Sequence, residues 1–172
     1  MMYKLQTIFF SAPWSAKFGM VVISLFSIVS IFAPFIAPYG ETEIIGKSYE
    51  LWSDKHFLGT DNLGRDMLSR LIFGARNTIG MALLTTFLAF LIGSITGMIA
   101  AVIGGWIDQI FGRIVDVLMS IPSLIFALLI LSFFGTSITY LIGTIAILEA
   151  TRVFRLARAT GMNVAVMDFV EV

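Results

Sequence analysis

Three stretches of the chain carry no charged residue: 18–40, 77–107 and 117–148. Each is longer than the roughly 20 apolar residues a helix needs to cross a bilayer. Within the third, Gly135, Thr136 and Ser137 form a short polar break in FFGTSITY, so that run reads as two helices joined by a tight turn. The second of these continues past the uncharged run towards Arg152. The pattern therefore predicts four spans, near 18–38, 78–103, 116–134 and 138–154, each satisfying its backbone polar groups within its own helix. The fold class that follows is all-α, a multi-spanning helical membrane protein.

The first run has a second reading. Lys4 and Lys17 precede it, and Ala33, Ala37 and prolines lie near its end, as in a cleavable signal peptide. The apolar region of such a peptide is about 7 to 15 residues, shorter than this run, which favours an uncleaved anchor.

Composition agrees with a bilayer environment. The chain is 58% hydrophobic and 13% charged, too little polar surface for a water-soluble domain of 172 residues. Lys plus Arg equals Asp plus Glu at 11 each, so no charge excess draws the chain to nucleic acid. Cysteine is absent and His56 is the one histidine, which excludes disulfides, thiolate sites and multi-histidine metal sites. His56 and the acids Glu41, Glu43, Glu50 and Asp54 have no metal-like spacing and read as a solvated loop. No catalytic set emerges, and an intramembrane enzyme is the weakest functional reading, because the spans hold no nucleophile and base pair.

Orientation follows from basic residues beside the spans, since Lys and Arg in short loops stay cytoplasmic. With the N-terminus inside, Lys4, Lys17, Arg113, Arg152, Arg155 and Arg158 are cytoplasmic, while Lys47, Lys55, Arg65, Arg70 and Arg76 lie outside among acids. The run RVFRLAR weighs most, because Glu149 is the only acid near it.

The outer segment contains GTDNLGRD at 59–66, close to the phosphate-cradling pattern G-x-x-x-x-G-K-[ST]. Arg65 and Asp66 replace the lysine and the hydroxyl, and a carboxylate there would repel a phosphate. The alternative is a turn that opens an interfacial helix. In that reading Asp61 or Asn62 is the cap, Asp66 and Arg70 pair at i, i+4, and Leu63, Met67, Leu71 and Ala75 form an apolar stripe.

The longer segment HFLGTDNLGRDMLSRLIFGARNT resembles the signature of C-type permease subunits of dipeptide and oligopeptide ABC importers, approximately LGTD-x-x-GRD-x-x-SR-x-x-x-GAR. Gly59, Thr60, Asp61, Gly64, Arg65, Asp66, Ser69, Arg70, Gly74, Ala75 and Arg76 match it. The likeness continues through GGWID at 104–108, RIVDVLMSIPSL at 113–124 and ARATGMNVAVMDFVEV at 157–172. It implies residues 1–55 as an N-terminal anchor helix and outer loop, and 56–172 as the first part of the importer's transmembrane domain. It further implies a bacterial inner-membrane location and alternating access without covalent chemistry in this chain. The implied partners are a homologous second permease, two cytoplasmic ATPase subunits that bind the ATP, an extracytoplasmic solute-binding protein and the lipid bilayer. No cofactor is implied in the chain itself.

Permeases of this type carry a cytoplasmic EAA loop whose short helix docks on the ATPase. Asp168, Phe169, Val170 and Glu171 match the approach to it and are the implied coupling residues. The EAA helix and the last two of six spans are expected beyond Val172, so the sequence reads as a truncated subunit. A non-transporting assembly or regulatory protein, or the remnant of a disrupted permease gene, is the alternative. The signature residues Asp61, Arg65, Asp66, Arg70 and Arg76 are assigned to ordering the outer segment.

Two packing features complete the reading. Ala89, Gly93, Gly97, Ala101 and Gly105 recur every four residues, a strip of small side chains that permits close helix approach. It fits contact within the chain, or contact with the partner permease or the pathway. Pro122 is either a first-turn proline or a kink. Glu149 and Arg152, three apart, read as an ion pair rather than a proton relay.

Overall fold

The computed structural model describes residues 13–165. Its helices in chain order are α1 (Trp14–Ile31), α2 (Ala33–Ile36), α3 (Met67–Ile103), α4 (Gly105–Ser120), α5 (Ser123–Phe134) and α6 (Ile138–Ala165). Among the described residues the only β pairing is in isolated bridges, Ile44 with Arg65 and Thr60 with Asp66. The all-α class holds. The chain divides into two compact units, Met1–Gly80 and Met81–Val172.

The first predicted span is found as α1 followed by the single turn α2, separated at Phe32. Pro34, in the first turn of α2, has no N–H to give and its ring crowds the carbonyl four residues back, so the longer helix ends ahead of it. The second span begins earlier than predicted. α3 runs unbroken for 37 residues from Met67, so the stretch expected as a separate interfacial helix is instead the first part of α3. Helical spacing continues through Arg70 and Arg76 because nothing there breaks it. α3 ends at a pair of glycines, Gly104 (φ 62°) and Gly105 (φ 59°), a left-handed corner that residues with a Cβ rarely adopt.

The predicted span 116–134 is corrected. α4 and α5 are separate helices bent by 91° at Ile121 and Pro122. Pro122 is the N-cap of α5, and Ile121 before it is extended (φ −91°, ψ 128°), the conformation proline imposes on its predecessor. The proline thus breaks the span. The turn at Gly135 (φ 92°) appears as predicted, ending α5 and leading into α6.

By length and composition α1 and α3 can each cross a membrane, and the bent pair α4–α5 makes a third crossing if it counts as one span. α6 was predicted to be the fourth. Its uncharged part, 138–148, reaches about 17 Å at 1.5 Å per residue, well short of a ~30 Å hydrocarbon core, and Glu149, Arg152 and Arg155 follow at once.

In the second unit α4 and α5 both pack on α6. Its core is small: Ala100, Val115 and Phe154 are buried, with Phe111 against them and the Phe111 and Phe154 rings 6.3 Å apart. α5 buries none of its residues, although every one but the serines is apolar. Such surface is at home against lipid or other helices, where packing rather than water exclusion drives association.

Candidate functional site: the GTDNLGRD turn and the charged helix pair

The turn is built on two glycines with positive φ, Gly59 (73°) and Gly64 (77°). A Cβ at Gly64 would lie 2.1 Å from the Gly46 carbonyl oxygen, and one at Gly59 would lie 2.3 Å from that of Glu50. Only glycine lets segment 44–51 come this close. That segment is bonded along its length: Ile45 and Gly46 N–H donate to Gly64 O (2.9 and 3.1 Å), Tyr49 N–H to Asp61 O (3.0 Å), and Thr60 N–H to Glu50 O (3.1 Å). Thr60 locks the arrangement, its hydroxyl accepting from Glu50 N–H (2.8 Å) and donating to Lys47 O (2.6 Å).

Asp61 organises the turn. Its Oδ1 accepts from Leu63 N–H (2.8 Å) and Arg65 N–H (3.0 Å), and its Oδ2 from Arg65 Nε (2.8 Å) and Arg70 Nη1 (2.6 Å). Burial pushes this carboxyl up, but the bonds from Arg65 N–H, Leu63 N–H and the Arg65 guanidinium outweigh it and hold the group at about 2. The predicted pairing of Arg70 with Asp66 is therefore corrected: Arg70 reaches Asp61 instead.

Asp66 is engaged elsewhere. It stands immediately before α3, and its Oδ2 accepts from Ser69 N–H (2.7 Å) and Ser69 Oγ (2.8 Å), the geometry of an N-cap. Asp66, not Asp61 or Asn62, caps the helix. Ser69 is wholly buried and its Oγ accepts from Tyr39 N–H (3.1 Å), which ties the chain after α2 to the start of α3. His56 corrects the solvated-loop reading: it is buried, its Nδ1 lies 3.5 Å from Asp66 Oδ1, and its ring is 5.7 Å from that of Tyr39. Serine, histidine and aspartate thus meet, but Ser69 donates to Asp66 and not to the imidazole, so the order of a serine–histidine–aspartate relay is not formed. Two buried carboxylates also leave no cradle for a phosphate. Arg76, further along α3, enters no ion pair among the described residues. Sequence reading had no signal for His56 or Tyr39, because loop residues reach the cluster through backbone bonds that leave no periodicity.

Along α3 the small-residue strip lies against α6. Ala89 is buried, a Cβ at Gly97 would lie 2.7 Å from Phe154 O, and one at Gly161 would lie 2.7 Å from Ala101 Cβ. Gly93 is equally close to Ala150. Gly105 departs from the strip, since it opens α4 and a Cβ there would meet nothing within 4 Å.

Asp108 and Asp116 sit on α4. Each holds α6: Arg158 makes a two-pronged bond to Asp108, with Nη2 to Oδ2 at 2.5 Å, and Arg155 Nη2 meets Asp116 Oδ1 at 2.7 Å. Arg152 pairs with Glu149 at 3.2 Å. Asp168, Phe169, Val170 and Glu171 lie outside the described residues.

With this geometry in place, comparison with known proteins gives a consistent set of likenesses. The family described as binding-protein-dependent transport system inner membrane component matches residues 89–172, and that described as the N-terminal TM domain of oligopeptide transport permease C matches 10–51. The dipeptide transport system permease protein DppC of Haemophilus influenzae is 31% identical over 169 residues, covering 94% of this chain and 57% of the relative. The nickel transport system permease protein NikC of Escherichia coli K12 is 31% identical over 163 residues, covering 94% and 59%. The peptide transport system permease protein SapC of Escherichia coli O6:H1 is 36% identical over 140 residues, covering 76% and 47%. The chain thus spans a little over half the length of the first two.

Proposed function

We propose that the chain is an inner-membrane component of a binding-protein-dependent transport system and acts as a permease subunit of an ABC importer for peptides or similar small solutes. The observation that carries this reading is the joint match, an oligopeptide-permease N-terminal segment at 10–51 followed by the transport component at 89–172. In this reading it forms half of a translocation pathway with a homologous second permease. Two cytoplasmic ATPases bind the ATP, and an extracytoplasmic solute-binding protein delivers the solute. The work of the chain is alternating access, movement of packed helices as rigid bodies with no bond made or broken in the solute.

The residues divide the labour accordingly. With the N-terminus cytoplasmic, as the basic flanks suggest, Asp168 to Glu171 contribute to ATPase coupling, and the network around Asp61 and Asp66 holds the outer segment in one conformation.

The test is genetic and direct. Deleting the chromosomal gene should abolish ATP-dependent uptake of at least one of a labelled dipeptide, a labelled oligopeptide or radiolabelled nickel, with recovery from a plasmid copy. A tagged chain should retrieve a second homologous permease. Unchanged uptake of all three solutes would refute transport. Retrieval of a permease alongside unchanged uptake would instead indicate the assembly or regulatory role.

A further inference from the structure

α4 has three faces rather than two. At 3.6 residues per turn, Trp106, Ile110, Ile114 and Val117 fall within an arc of ~80°, and all four are exposed. Gln109, Gly112, Arg113 and Asp116 occupy a second arc of ~100°, and Phe111, Val115 and Asp108, on a third, face α6. A helix buried in a protein is apolar all round, and a helix at a protein surface in water needs one apolar and one polar face. Three faces suit a helix at a membrane boundary, with one edge in hydrocarbon, one in water and the third on its own protein.

The break at Pro122 supports that placement. α4 and α5 meet at 91°. α5 is 12 residues of lipid-compatible sequence, about 18 Å long, so it lies in hydrocarbon. With α5 directed along the bilayer normal, α4 runs in the membrane plane, and exposed Trp106 sits where tryptophan is enriched.

Beside the polar edge of α4 is a cleft of about 290 Å³, lined by Asp108, Asp116, Arg113, Arg155 and Arg158 together with Gln109, Gly112, Val115 and Phe154. Two of the three guanidinium groups are neutralised, Arg158 by Asp108 and Arg155 by Asp116. Arg113 has no carboxylate partner among the described residues. It lies at the seam where the polar arc meets the apolar arc beginning at Trp106, with its charge uncompensated. A guanidinium there matches a group that brings a phosphate and an acyl chain together.

We propose that α4 is an interfacial helix and that Arg113, in the lining of this cleft, binds the headgroup phosphate of an anionic phospholipid whose acyl chains lie along Trp106, Ile110 and Ile114. The proposal depends on membrane embedding and not on the transport reading, so either can fail without the other.

Trp106 is the reporter. The full chain with Trp14→Phe and Trp52→Phe is reconstituted in phosphatidylcholine vesicles, and phosphatidylglycerol or phosphatidylcholine with brominated acyl chains is titrated in at equal mole fraction. The expected result is a preference of about fivefold for the brominated phosphatidylglycerol in quenching Trp106, the equivalent of about 1 kcal/mol for one basic residue at an anionic surface. Arg113→Gln should remove the preference, while Arg113→Lys keeps most of it, which separates charge from misfolding. Arg76→Gln should leave it intact. Equal quenching by the two lipids, an unaltered preference in Arg113→Gln, loss in both Arg113 variants, or loss in Arg76→Gln would each overturn the proposal. Abolition of the preference by inorganic phosphate at matched ionic strength would assign the site to a free anion and overturn the lipid.

Discussion

A single methyl group at Gly93 tests how α3 and α6 pack. In Gly93→Ala the new Cβ would lie 2.6 Å from Ala150 O, 2.6 Å from Val153 Cβ and 2.9 Å from Phe154 N. Two of these atoms are backbone and cannot swing aside, so the helices must separate. Overpacking of this kind costs about 1 to 3 kcal/mol, and rigid neighbours place it towards the upper end. Alanine also gains roughly 1 kcal/mol of helix propensity over glycine, which would mask part of the loss. Gly112→Ala in α4 removes that ambiguity, since it gains the same propensity and its Cβ meets nothing within 4 Å. The difference between the two variants isolates the clash at about 3 kcal/mol. Thermal unfolding of the purified chain in mild detergent, followed by far-ultraviolet circular dichroism, should place Gly93→Ala on the order of 6 °C or more below Gly112→Ala. Midpoints within about 2 °C of each other would refute the close approach of the two helices.

Four further outcomes follow from the geometry. Asp66→Ala should raise amide exchange in the first turn of α3 by about tenfold, since it removes a cap worth about 1 to 2 kcal/mol, and unchanged exchange would deny the cap. The Asp61 carboxyl is depressed from 3.8 to about 2, so its stabilising effect is present above pH 3.8 and is lost as pH falls towards 2. Asp61→Asn should therefore flatten acid unfolding across that window, and an identical acid profile would count against the network. Asp108→Ala and Arg158→Ala should be non-additive by about 1 kcal/mol in a double-mutant cycle, and additive effects would mean the pair contributes nothing. In this cysteine-free chain, Ser48→Cys should react with an impermeant thiol reagent in intact cells and Asn163→Cys only after lysis, the reverse pattern inverting the orientation.

The sequence by itself determined the all-α membrane class, because hydrophobic runs and their polar breaks are local properties of the chain. The turn at Gly135 was legible for the same reason, as was the pairing of Glu149 with Arg152, three residues apart on one helix. The resemblance to the importer permeases was also carried by short contiguous words, above all GTDNLGRD. What the sequence misplaced depends on contacts between distant segments. Asp66 and Arg70 have ideal spacing for a helix pair, yet Asp66 lies just ahead of α3 as its cap and Arg70 turns to Asp61, which four hydrogen bonds hold in place. His56 and Tyr39 join that cluster only because segment 44–51 folds onto the two glycines. Pro122 announced a disturbance but not its size, since a proline in lipid is compatible with a mild kink or a right-angle break, and the packing of α4 and α5 on α6 decided for the break. The third face of α4 likewise exists only once Phe111 and Val115 have found Phe154. Local spacing sets which residues share a helix face; tertiary packing decides whether that face meets protein, water or lipid.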